Sequence, residues 1–109
     1  MGSTTSGALL FRAALGEVLR ATRMRRGLTL RQLSALARVS LGYISEIERG
    51  QKEASSELLA ALCEALDLPL SEVLREVSDR VELEEIATRV REAVGTDLPT
   101  SDGDVVAAA

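Results

Sequence analysis

Histidine is absent from this chain, and cysteine occurs once, at position 63. With no imidazole and one thiol, neither a zinc ligand set nor a histidine-based catalytic constellation can be assembled. The solitary thiol closes no internal disulfide, which fits a reducing cytoplasm. Carboxylates are plentiful, but nothing in their spacing marks a cleft. No catalytic residue, cofactor or metal is therefore expected. No run of about 18 apolar residues occurs, so no membrane span is predicted. The opening Met1-Gly-Ser-Thr-Thr-Ser-Gly7 lacks the basic region and apolar core of a secretion signal. No strand pattern competes anywhere, leaving helices as the regular element.

The 109 residues are 46% hydrophobic, enough for one globular domain with tails. The net charge of −4 argues against a polyanionic partner until its distribution is considered. Residues 1–52 hold nine basic side chains against three acidic ones, a balance of +6. The remainder holds four against fourteen, a balance of −10. Phosphate contacts depend on the local field, which salt screens beyond about 8–10 Å. The asymmetry is thus a partner signal, with the acidic half expected to face away from nucleic acid. Merely solvated faces are the alternative.

Residues 29–50 read as two short helices joined by a sharp corner. Thr29 is a natural N-cap, and Gln32 three residues on completes a capping box. Apolar residues follow at Leu30, Leu33, Ala37 and Val39. Only about Arg38 and Val39 separate the helices. Ser40 caps the second, whose inward stripe is Ile44, Ile47 and the aliphatic part of Glu48, and Gly50 supplies a left-handed stop. Gly42, Ser45, Glu46 and Arg49 then fall on the opposite, small and polar face. A helix of this kind suits the major groove of DNA.

Around this unit the pattern predicts a first helix from about Leu9 to Arg26, carrying Leu15, Val18, Leu19 and Thr22 on one side. After the loop Gly50–Ala54, Ser55 caps a fourth helix with Leu58, Leu59, Leu62, Cys63 and Leu66, where the cysteine reads as a small core hydrophobe. Pro69 breaks the chain, and Ser71 is placed to cap a fifth helix bearing Val73, Leu74 and Val77. The helical phase then slips to Leu83, Ile86, Val90 and Val94, with a second capping-box pattern at Asp79 and Glu82. A sixth helix, Arg80 to Val94, is expected there, separate from or kinked against the fifth. The organisation is a disordered stretch 1–7, a helix-turn-helix domain 8–78, a C-terminal helix 79–95 and a flexible tail 96–109.

The residues Arg23…Gly27-Leu-Thr-Leu-Arg-Gln-Leu-Ser…Val39-Ser…Ile44-Ser-Glu-Ile-Glu-Arg-Gly50 resemble the xenobiotic-response-element class of helix-turn-helix regulators. Ser40-Leu-Gly-Tyr-Ile-Ser-Glu-Ile-Glu-Arg-Gly50, followed by Glu53-Ala-Ser-Ser-Glu-Leu-Leu59, is similar more narrowly to the Clp-gene regulators. The resemblance implies an all-α, five-helix phage-repressor-like domain, here with an extra C-terminal helix. It also implies a transcription regulator, an activator of Clp protease and stress genes, whose partners would include operator DNA and RNA polymerase. In the class, an Arg late in the first helix pairs with a Glu late in the third, which maps onto Arg23 and Glu48 as a structural ion pair.

Contact residues divide in two. Arg31 and Gln32 at a helix N-terminus, with Arg38, Arg49 and Lys52, suit phosphates. Ser40, Leu41, Gly42, Tyr43, Ser45 and Glu46 are placed for base edges, Leu41 for a thymine methyl and Glu46 for a cytosine amino group. Tyr43, at the edge of the inward stripe, is equally a core candidate. The chain departs from the class in lacking the Gln or Asn pairs that bind adenine, and in having Ala54 where Pro is common.

One such helix reads few base pairs, so a homodimer on a palindromic operator is expected, with half-sites about 34 Å apart. Leu83, Ile86, Val90 and Val94 are the candidate dimerisation stripe; folding back onto the domain is the alternative. The tail end Val105, Val106, Ala107, Ala108 and Ala109 is similar to small apolar degradation tags read by Clp-type proteases. An antitoxin-like protein that regulates itself and binds a partner protein is the main rival reading. A helical adaptor without a DNA role is another.

Overall fold

The computed structural model describes residues 6–94, and among them all regular structure is helical. Five helices follow one another: α1 (Gly7–Arg25), α2 (Leu30–Ala37), α3 (Leu41–Glu48), α4 (Ser56–Ala65) and α5 (Leu70–Val94). Four start on hydroxyl caps, which satisfy amides that have no partner within the helix. Ser6 accepts from Leu9 N–H at 3.2 Å, Ser40 from Tyr43 at 3.0 Å and Ser55 from Leu58 at 3.2 Å. At α2 the capping box is complete: Thr29 Oγ1 accepts from Gln32 N–H at 3.0 Å, and Gln32 Oε1 accepts from Thr29 N–H at 2.8 Å.

Two boundaries differ from the sequence expectation. Ser6 and Gly7 are the cap and first residue of α1, not part of a disordered stretch. Ser71 lies inside the first turn of α5, because the Pro69 carbonyl already accepts from Glu72 and Val73 N–H at 3.0 and 3.3 Å. Gly95 and the tail 96–109 fall outside the described residues.

The core is one cluster drawn from every helix. Ala14, Leu15, Val18 and Leu19 of α1 meet Leu33, Val39, Ile44 and Ile47 of the motif. Leu59, Leu62, Cys63 and Leu66 close it from α4, with Val73 and Val77 from α5. Each such aliphatic side chain contributes about 1.5–3 kcal/mol on burial. Apart from Ala14, these are residues that the helical periodicity picks out; Leu74, expected beside Val73 and Val77, is exposed instead, because it lies off their line on the helix.

Gly16 does not. A Cβ there would lie 2.5 Å from the carbonyl oxygens of both Ile47 and Glu48. Backbone meets backbone at this point, and only glycine lets α1 approach the end of α3 so closely.

The expected sixth helix is instead the second half of α5, which runs unbroken for 25 residues. No proline or glycine interrupts 70–94, so nothing removes a backbone hydrogen bond at Asp79. The phase slip has another meaning. At 100° per residue, the stripe Leu83–Val94 sits about 115° around the axis from Val73 and Val77. One helix thus carries two apolar faces. The first is in the core, whereas Leu83 is 67% exposed and Ile86, Val90 and Val94 are exposed with it. Projection of this half helps explain overall dimensions of 50 × 28 × 25 Å.

Candidate nucleic-acid interface

The turn between α2 and α3 is built by Ser34 and Arg38. Arg38 takes a left-handed conformation, φ 60°, so that its own N–H and that of Val39 both donate to the Ser34 carbonyl, at 2.8 and 3.2 Å. The Ser34 hydroxyl donates back to the Val39 carbonyl at 2.5 Å. Val39 is buried, and this locks the corner that aims α3 outward.

A second tie holds α3 from behind. Arg23 Nε and Nη2 donate to the two carboxylate oxygens of Glu48 at 2.7 and 3.0 Å. Its third nitrogen, Nη1, donates to the Leu28 carbonyl at 2.8 Å. The side chains are only 12% and 6% exposed. Hydrogen bonding to Glu48 pushes Arg23 above its ordinary pKa against the opposing effect of desolvation, and the carboxylate charge adds to the rise. One guanidinium thereby joins α1, the α1–α2 turn and the end of α3, all behind the reading surface.

The outward side of α3 carries Gly42, Ser45, Glu46 and Arg49, at helical spacings of three and four. Gly42 is exposed, and a Cβ built on it meets nothing within 4 Å. Arg49 donates to the Ser45 hydroxyl. Lys52 Nζ lies 3.9 Å from Glu46 Oε1. Leu41 is half-buried at the start of the helix. Arg31, Gln32, Arg38, Ser40 and Lys52 are exposed around it. Gln32 and Ser40 spend their acceptor oxygens on capping, leaving their donors outward.

Tyr43 departs from the base-contact expectation. It packs half-buried against the core, and its hydroxyl donates to the Glu53 carbonyl at 2.6 Å. The Glu53 carboxylate pairs with Arg12 at 2.8 Å, and Gly50 rests against Ala13, where a Cβ would come within 3.3 Å of its Cα. Three anchors therefore fix the 50–54 loop despite Ala54. The tyrosine holds the loop that bears Lys52, so its proton is not offered to a base. Sequence reasoning missed this because the partner is a backbone carbonyl ten residues away. Gly16 was overlooked as well, although a glycine inside a long helix is itself a signal.

The charge halves are not segregated as expected. Arg12, Arg25 and Arg26 of the α1 region meet Glu53, Glu76 and Asp67 of the acidic half, at 2.8, 3.9 and 4.0 Å, while Arg80 of α5 meets Glu17 at 3.0 Å. Of the basic half, Arg20, Arg31, Arg38 and Arg49 make no ion pair among the described residues. Much of the opposing charge cancels around α1, and three of these unpaired cations, Arg31, Arg38 and Arg49, lie within the motif. No group of three potential metal ligands occurs among the described residues. No helix among them is long and apolar enough to cross a membrane.

Comparison with known proteins agrees with this geometry. A family model described as a helix-turn-helix domain matches residues 14–77. The chain is 52% identical over 103 residues to the transcriptional regulator ClgR of Mycobacterium tuberculosis, covering 92% of each protein. The crystal structure of the clp gene regulator ClgR from Corynebacterium glutamicum superposes with a TM-score of 0.74 at 42% identity, covering 83% of this chain and 96% of that one. The restriction-modification controller protein C.Esp1396I, solved as a tetramer with its natural 35-base-pair operator, shares the fold at 19% identity and a TM-score of 0.62, covering 71% of this chain and 97% of that one. The arrangement of α2 and α3 on a five-helix core, with relatives matched over almost their whole length, places the chain in the ClgR family of helix-turn-helix transcriptional regulators.

Proposed function

We infer that the protein works in the cytoplasm as a homodimer that docks α3 of each subunit in the major groove of a palindromic operator. The observation that carries this reading is the outward face of α3. It is exposed at Gly42 and Arg49, half-buried at Leu41, Ser45 and Glu46, small at Gly42, and bordered by cations that the core does not use. Arg31, Gln32, Arg38, Arg49 and Lys52 contact phosphates, which set register without reading sequence. Ser40, Leu41, Gly42, Ser45 and Glu46 meet base edges. Tyr43 contributes by positioning the loop.

The second subunit is received on α5. Leu83 lines a groove of about 380 Å³ with Leu9, Leu10 and Ala13 of α1, and Ile86, Val90 and Val94 extend the apolar surface beyond it. The relatives named for Clp genes support an activator of Clp protease and stress genes, which would also contact RNA polymerase on the nucleoid. The tail Val105–Ala109 acts as a degradation signal for a Clp-type protease, returning the activator's level to the supply of protease. Exchange of Ala108 and Ala109 for Asp lengthens the cellular half-life on this reading; an unchanged half-life removes it.

Fluorescence anisotropy with a duplex spanning a clp promoter tests the central claim. Affinity falls steeply with salt, with a log–log slope of about −0.9 for each phosphate neutralised. A salt-independent affinity, or equal affinity for every duplex, overturns sequence-specific DNA binding. An antitoxin-like role draws on the same exposed stripe of α5, and predicts that a small partner protein copurifies with the chain.

A further inference from the structure

Three carboxylates lie within the first 52 residues, and two of them have an arginine partner within 3.0 Å. Glu48 holds Arg23, and Glu17 meets Arg80 at 3.0 Å. Glu46 has only Lys52, 3.9 Å away and itself largely exposed. A negative charge on the face that approaches a polyanion costs affinity for every sequence, and an ionised carboxylate can only accept hydrogen bonds. The major groove presents acceptors at guanine N7 and O6, adenine N7 and thymine O4, all of which repel it. The donors there are the amino groups of cytosine and adenine, and cytosine's is not accompanied by an acceptor on the same base. Gly42, one turn before Glu46, brings the helix backbone close, since no side chain stands between it and solvent.

We propose that Glu46 is a specificity filter: it makes the half-site require a cytosine, by penalty against other bases more than by attraction, while Lys52 is the counter-charge that releases it. In the free protein Lys52 offsets the carboxylate. On DNA, Lys52 turns to a phosphate, and Glu46 is left with the base it faces. Cytosine N4–H replaces the lost partner; thymine O4 in its place leaves a desolvated, unpaired anion. The pinned loop matters here, because Tyr43 and Arg12 hold Lys52 within reach of both partners. This inference rests on the reading of α3 as the groove-facing helix, and it names the base pair that the helix selects.

The full chain, as wild type and as the E46A, E46Q and K52M variants, is used to select duplexes from a randomised library. Affinities are then measured for the best duplex and its single base-pair changes at several salt concentrations. The wild-type site contains a cytosine in each half whose change to thymine weakens binding about 5- to 150-fold. In E46A and E46Q that preference shrinks to about two- or threefold, while affinity for unselected DNA rises. K52M weakens binding to all duplexes and flattens the salt slope by about 0.9, with the cytosine preference retained. Unchanged thermal stability of E46A separates these effects from misfolding. If E46A keeps the wild-type base preference at every position, or K52M leaves the salt slope intact, the filter is wrong. If the wild type selects no sequence at all, the groove-reading function fails first.

Discussion

Arg23 and Arg38 show how differently two arginines in one motif are used. Arg23 spends its guanidinium on Glu48 and on the Leu28 carbonyl, almost out of contact with water. Removing it strands a buried carboxylate. Arg23→Ala is expected to destabilise the fold by about 3 kcal/mol, measured by urea denaturation, and to weaken DNA binding only through the loss of folded protein. Arg38 is strained instead. Its left-handed φ of 60° costs a residue with a Cβ about 1 kcal/mol, a cost that glycine would avoid. An exposed cation kept at such a position is better explained by a ligand than by stability. Arg38→Gly should therefore raise the unfolding free energy by about 0.5 kcal/mol. The same change should lower affinity for DNA of any sequence and reduce the salt slope by about 0.9. Unfolding and anisotropy measured on one preparation give the two opposite signs.

The helices are placed by a few close approaches. α1 supports the end of α3 through Gly16, whose missing Cβ would collide with two carbonyl oxygens. Alanine there gains about 1 kcal/mol of helix propensity but forces the two backbones apart, and overpacking of this kind costs about 1–3 kcal/mol or more. Gly16→Ala is expected to be destabilising on balance and to tilt α3, so that folded protein at low temperature binds DNA less well than wild type. α5 has the opposite character. Its first half is core, and its second half leaves Leu83 and Val90 in solvent. The double substitution Leu83→Asp and Val90→Asp touches no buried contact, so helical circular dichroism should be retained. Sedimentation at micromolar concentration should then show the mass of a monomer. A dimer surviving both charges would place the subunit interface elsewhere.

The molecule as a whole is held by one core, to which every helix contributes, and Cys63 reports on it. The thiol is buried on α4, and burial pushes its pKa up, so the reactive thiolate is scarce in the folded state. Reagents for thiols should therefore label the native chain slowly even at mildly alkaline pH. Labelling should accelerate with denaturant in step with the loss of helical signal, as expected if exposure needs cooperative opening. Rapid labelling without denaturant would mean that α4 opens independently. The distribution of charge is also a property of the whole fold. Acids far along the chain cancel the α1 arginines, and the field near the motif comes from Arg31, Arg38, Arg49 and Lys52 rather than from the first half in bulk.

Local chemistry was enough to specify much of this. Hydroxyl caps at Thr29, Ser40 and Ser55, the stop at Gly50 and a 3.6-residue apolar rhythm depend on neighbours within one or two turns, and sequence displays neighbours directly. The same rhythm showed which side of α3 faces outward and that Leu83, Ile86, Val90 and Val94 form a separate stripe. Tertiary structure alone decided how that stripe is carried, because a change of phase is compatible both with a broken helix and with one helix that uses two faces. It also decided the role of Tyr43, the reason for Gly16 and the cancellation of charge around α1. Each of these depends on a partner brought within a few ångströms by the path of the chain, and local spacing records no such distance.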